Sequence, residues 1–143
     1  MPLHLIKLSV GAESVDDFSE WVKRRAAFNK KRGLGPVHDH VTRMFPKRRD
    51  EILSGGSIYW VIKGQVLVRQ KILSLEEVVG DDQIRRCAIL LEPSIVATEV
   101  QSRRAFQGWR YLKAEDAPMD LPAKSEASTP SALRAELAEL GLL

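Results

Sequence analysis

Two runs of β-branched and aromatic residues, Ser57–Lys63 and Gln65–Leu73, meet at a single glycine, Gly64. Such runs favour pleated, half-buried strands. A glycine between them marks a tight turn, so the pair predicts a β-hairpin in the middle of the chain. Side chains alternate across a strand. Ile58, Trp60 and Ile62 therefore share one face, an apolar one suited to a core. Tyr59, Val61 and Lys63 share the other, and Arg69 and Lys71 alternate with Val68, Gln70 and Ile72 on the partner strand.

Period and punctuation place the other elements. Leu3–Val10 alternates as a strand and stops at Gly11. Ser14 reads as the N-cap of a helix, with Asp16 and Asp17 in its first turn. Val15, Phe18, Val22 and Ala26 follow helical spacing with Trp21 beside them, and Lys23, Arg24 and Arg25 lie toward the other side. Lys30, Lys31 and Arg32 sit near its C-terminus and Gly33 ends it. Val41–Phe45 reads as a short strand. Pro46 opens a short helix to about Leu53, which Gly55 and Gly56 terminate. Glu76–Gln83 reads as a polar connection, and Arg86–Leu91, Ile95–Val100 and Phe106–Leu112 as further strands.

No regular βαβ alternation appears, which argues against a doubly wound parallel sheet. The expected fold is α+β: a small, strongly bent antiparallel or mixed β-barrel with two or three packed helices. Its body spans residues 1–113. From Ala114 the composition shifts to Pro, Ala, Ser and acids, which predicts a mobile acidic tail over 114–143. Within it Leu133, Leu137 and Leu140 could form one face of a short helix.

The net charge of +3 is unevenly spread. Beyond residue 113, Lys124 and Arg134 oppose Glu115, Asp116, Asp120, Glu126, Glu136 and Glu139, so the tail carries −4 and residues 1–113 carry +7. A basic body points to phosphate-bearing partners. The single cysteine, Cys87, excludes an intrachain disulfide and is compatible with a cytoplasmic location. The apolar start MPLHLIKLSV is too short for a membrane span and lacks the pattern of a signal peptide.

Nothing in the chain spells out a catalytic site. Gly55-Gly56-Ser57 lacks the closing glycine of a nucleophile elbow and precedes a strand, whereas the elbow follows one. Cys87 sits in an apolar run and reads as a buried thiol. His38 and His40 share a strand face, but with His4 the only other histidine the ligands fall short of a structural zinc site. One of the histidines reads instead as making an ordinary polar contact, or His40 as helping to line the cleft. No metal or cofactor is expected.

Three groups of residues suit binding. Arg43 precedes the short helix, and Lys47 and Arg48 fall in its first turn, where exposed amides and cations together favour a phosphate. Tyr59, Lys63 and Arg69 place an aromatic ring and cations on one hairpin face. Arg103, Arg104, Gln107, Trp109 and Arg110 combine cations, an amide that can bond a base edge, and a ring that can stack. Each group also has a plain structural reading, as a solvated face or as core. The pattern suits RNA, a modified nucleobase or a nucleotide-like ligand, held without catalysis. A small enzyme acting on a nucleotide in the same cleft and a protein-interaction domain are the alternatives. Oligomeric state is not legible.

The strings HVTRMFPKRRDEILSGGSIYWVIKG, VRQKI and RRAFQGWRYL resemble a bacterial family of conserved hypothetical proteins, a domain of unknown function, over roughly residues 3–121. More distantly, a helix ending in glycine followed by two strands is similar to the core of PUA-like barrels, including the ASCH and EVE branches. Lys47–Leu53 would match the helix, Gly55-Gly56 the break, and the two hairpin runs the strands. That resemblance implies a barrel binding RNA or modified nucleobases in a cleft. The Gly-x-Lys-x-x-Glu-x-Arg pattern of the ASCH branch is replaced by Gly-x-Ser-x-x-Trp-x-Ile from Gly55 to Ile62, so no role tied to that lysine, glutamate and arginine carries over.

Overall fold

The computed structural model describes residues 2–121. In chain order the elements are β1 (Leu3–Leu8), α1 (Val15–Lys31), β2 (His38–Thr42), α2 (Arg49–Leu53), β3 (Ser57–Ile62), β4 (Gln65–Val79), β5 (Arg85–Leu91), β6 (Val96–Ser102) and β7 (Trp109–Lys113), followed by a 3-10 turn at Ala114–Asp116. Ser14 caps α1, its side-chain oxygen accepting from Asp17 N at 3.1 Å. The hairpin forms as its composition demands. Lys63 and Gly64 both take positive φ, 51° and 80°, the conformation that a two-residue turn between twisted strands requires.

The strands make one mixed seven-stranded sheet in the order β2-β5-β4-β3-β1-β7, with β6 also paired to β4. β1 and β3 are parallel and the other pairs antiparallel. The fold is therefore α+β, but the sheet is open and the expected closed barrel does not form. The longest strand, β4, carries the bend of the sheet. Its 15 residues continue through the stretch expected to be a polar connection. Its first half pairs with β3 and β6, and its second half pairs with β5. Register shifts at Ile72/Ser74 and Val66/Val68 bend it. The ends of the path, β2 and β7, do not pair. They are tied by a side chain, Trp109 Nε1 donating to Met44 O at 2.8 Å.

One core cluster lies under the helices, where Phe18, Val22 and Ile52 meet Leu5, Ile58, Trp60 and Ile89. A second, smaller cluster on the opposite sheet face holds Ile6, Tyr59, Val61, Val66 and Leu112. Gly56 is fixed by packing: a Cβ there would strike the carbonyl oxygens of Leu3 and Ile52.

Residues 114–121 are part of the packed body. Glu99 N donates to Met119 O at 2.8 Å and Leu121 N to Ala97 O at 2.9 Å, which lays this segment along β6. Strands in a sheet lie about 4.8 Å apart, so a flat sheet would separate the β7 and β6 edges by about 19 Å. The short stretch Ala114–Pro118, partly wound into a 3-10 turn, joins them. The sheet must curl around the second cluster, and Ala117 packs against it. The rest of the acidic tail, with Leu133, Leu137 and Leu140, lies outside the described residues.

Candidate functional site

The sheet register sets the site. Lys7 is paired with Trp60 across β1–β3 and with Trp109 across β1–β7. The three side chains thus form a row on the face that carries the main core. Beyond the end of β1, the chain turns into α1 and leaves a cleft of about 270 Å³ between β1, β2 and α1. Lys7, Ser9, Phe18, Trp21, His40 and Trp60 line it.

Its walls are aromatic and rigid. Phe18 lies 5.3 Å from Trp60, centroid to centroid, and His40 stands edge-on to Trp60 at 5.3 Å. Buried Gln70 holds this arrangement. Its Oε1 accepts from Trp60 Nε1 at 2.9 Å and pairs with His38 Nδ1 at 3.2 Å, and its Nε2 donates to Glu92 O at 2.8 Å. His38 is thereby committed to structure, as is Asp39, which receives Arg25, Asn29 and Arg32.

Other groups in the cleft are uncommitted. Ser9 Oγ and His40 Nε2 are buried and have no hydrogen-bond partner among the described residues. Burial, with Lys7 and His38 nearby, lowers the His40 pKa to about 4, so its imidazole is neutral at neutral pH. Burial also lowers the Lys7 pKa. Among the described residues no metal-binding cluster of three or more His, Cys, Asp or Glu occurs. Cys87 is fully buried and its thiol pKa is pushed up to about 11 by burial, the inert state expected from its apolar run.

Beside the cleft, α1 presents a second feature. Trp21, Arg24, Arg25, Phe28 and Arg32 recur at i, i+3, i+4, i+7 and i+11, which puts them on one stripe. Trp21 and Phe28 are 49% and 51% exposed. The Arg25 and Arg32 guanidinium carbons lie 5.0 and 5.2 Å from the Phe28 ring centroid. Lys23, Arg24, Lys30 and Lys31 are exposed on the same helix. Trp21 belongs to both features, on the stripe and at the rim of the cleft.

Over residues 5–143 the sequence matches the family described as "Protein of unknown function (DUF1489)". The chain belongs to this family. No curated protein matches it, and no solved structure does. Among the described residues of this DUF1489 chain, no helix is long and apolar enough to cross a membrane.

The residues singled out from the sequence do not converge on one cleft. Trp109 and Tyr59 lie on opposite faces of the sheet, one in each core cluster, and are 9% and 4% exposed. Neither ring offers a free face for stacking. Arg43, Lys47 and Arg48 are exposed beside β7, where Arg48 N donates to Tyr111 Oη at 3.2 Å. The helix there begins only at Arg49, so Lys47 and Arg48 precede it and lie outside its first turn. Pro46 is buried in the turn before it. Arg48 also pairs with Glu51 at 2.5 Å.

Lys63 sits at the hairpin tip in an exposed ion pair with Glu13. Nearby, Arg103 N donates to Gly64 O at 2.8 Å, and Arg104 is exposed next in the chain. Arg69 bonds Asp120 through Nε and Nη2, both at 2.7 Å, and Ser57 Oγ at 2.9 Å. Gln107 is exposed in the loop before β7, and Arg110 lies over Phe106 at 5.2 Å. Sequence reasoning passed over Lys7, Ser9 and Phe28. The signal for Lys7 was present, because Leu3, Leu5 and Lys7 share one strand face and a cation there continues a core stripe.

Proposed function

We propose that the protein is a single-stranded nucleic-acid-binding module, RNA being the expected ligand, that docks the strand along the exposed stripe of α1. The observation that carries this reading is the interleaving of half-exposed Trp21 and Phe28 with Arg24, Arg25 and Arg32 on one helical face. Rings and guanidinium planes stack splayed bases, and cations neutralise the backbone. The +4 charge of residues 1–121 supports it by favouring polyanions. The contact surface is therefore α1, in place of the hairpin face and β7 suggested by the sequence. Exposed Arg43, Lys47 and Arg104 and half-buried Arg103 add positive charge elsewhere on the body and would contribute to long-range attraction.

Fluorescence anisotropy of a short labelled single-stranded RNA tests this. Affinity should fall steeply as salt rises, because binding releases counterions. Trp21→Ala and Phe28→Ala should each weaken binding by about 1–3 kcal/mol, the range for one base stacked on a ring. Arg24→Ala should reduce the salt slope by about one. Absence of binding at low salt, or equal binding to a duplex, would overturn the reading.

A further inference from the structure

We propose that the cleft between β1, β2 and α1 is a separate binding site for a small planar monoanion, an aromatic carboxylate being the class that fits it. The proposal goes beyond nucleic-acid binding and does not depend on it.

Charge selects the sign and the valence. Of the two cations in the lining, Arg25 is held by both oxygens of Asp39 at 2.6 and 3.1 Å. Lys7 has no carboxylate within ion-pair distance among the described residues. A single uncompensated ammonium in a half-buried cleft matches one negative charge. A dianion would bring its second charge toward Asp39.

Polar geometry selects the head group. Ser9 is nine-tenths buried, and its hydroxyl has no partner among the described residues; nor has His40 Nε2. Folded proteins leave few buried polar atoms unpaired, because each one forfeits its hydration. A carboxylate accepts from an ammonium and a hydroxyl at once, and from Nε2 when that nitrogen carries the imidazole proton. Shape selects the body. Half-exposed Trp21 presents a ring at the rim, buried Phe18 and Trp60 back the wall, and about 270 Å³ lies at the small end of ligand pockets. That suits one or two rings rather than a nucleotide.

Calorimetry and tryptophan fluorescence on the full chain test this, with benzoate and indole-3-carboxylate as probes and benzamide as the neutral isostere. At least one carboxylate should bind saturably, and benzamide about tenfold more weakly than benzoate or not at all. Lys7→Met should lose about tenfold or more of the carboxylate affinity while leaving benzamide unchanged. Phe28→Ala, on the α1 stripe and outside the cleft, should leave carboxylate binding unchanged even where it weakens RNA binding. If Lys7→Met does not fold, Ser9→Ala replaces it and should weaken the carboxylate several-fold. No carboxylate binding at millimolar concentration, equal binding of benzoate and benzamide, or full retention of affinity in the folded variant would overturn the proposal.

Discussion

Arg25 of α1 donates from Nε and Nη2 to the two carboxylate oxygens of Asp39 on β2, at 2.6 and 3.1 Å. Asn29 Nδ2 bonds the same carboxylate and Val37 O, each at 2.8 Å, and Arg32 Nη2 approaches at 3.3 Å. The Asp39 side chain is only 6% exposed, whereas the arginines stay near the surface. This contact fixes α1 against β2 and so sets the width of the cleft. It also leaves Phe28 between two oriented guanidinium groups.

Asp39→Ala should destabilise the protein by about 1–3 kcal/mol, the cost of removing a buried acceptor whose donors can partly rehydrate. Urea unfolding measures it. A loss below about 0.5 kcal/mol would mean that the contact does not hold α1 in place.

Stability should fall in two steps on acidification. His40 titrates at about 4 in the fold against an ordinary 6.5. Between those values the unfolded chain binds a proton that the folded chain does not, so stability is lost as pH falls through that window, by up to about 3 kcal/mol. His4 and His38, also lowered by burial, act in the same direction. Burial alone would raise the Asp39 pKa, but Arg25, Asn29 and Arg32 hold it down to about 2 against an ordinary 3.8. Its contribution is present above the higher value and is lost as pH falls toward the lower. Urea midpoints from about pH 7 to pH 3 check this, and His40→Gln should flatten the first step. A midpoint constant between pH 7 and about pH 4.5 would contradict it.

The tryptophans should separate by role. Trp109→Ala removes a ring packed in the main cluster and its bond to Met44 O. It should lower stability by about 3–5 kcal/mol. Trp21→Ala, at an exposed site, should change stability by less than about 0.5 kcal/mol. Thermal melts of the two variants make the comparison directly, and similar melting temperatures would place one ring wrongly.

Residues 114–121 should be needed for full stability. They cover the second cluster through Ala117 and tie β6 to β4 through the Arg69–Asp120 pair. A chain ending at Lys113 should therefore be less stable than one ending at Leu121 by about 2 kcal/mol or more, from exposed apolar area alone. Equal stability of the two would show that this segment only lies on the sheet.

The hairpin at Gly64, the Ser14 cap, the apolar stripe of α1 and the buried setting of Cys87 were determined by the sequence alone. Each rests on residues within a turn or two of one another, where period, capping and turn chemistry act. The basic character of the body was equally legible. Tertiary structure decided the rest. Parallel pairing of β1 with β3 put Lys7 beside Trp60. Antiparallel docking of β7 on β1 turned Trp109 to the core face, opposite Tyr59. The path of the sheet ended at β2 and β7, which do not pair, and Asp120 reached back to Arg69. In a strand a shift of one residue exchanges the two faces. Registers between segments far apart in the chain are chosen by total burial, which no local pattern contains. The cleft is built from β1, β2, β3 and α1, so its convergent groups became visible only once those registers were set.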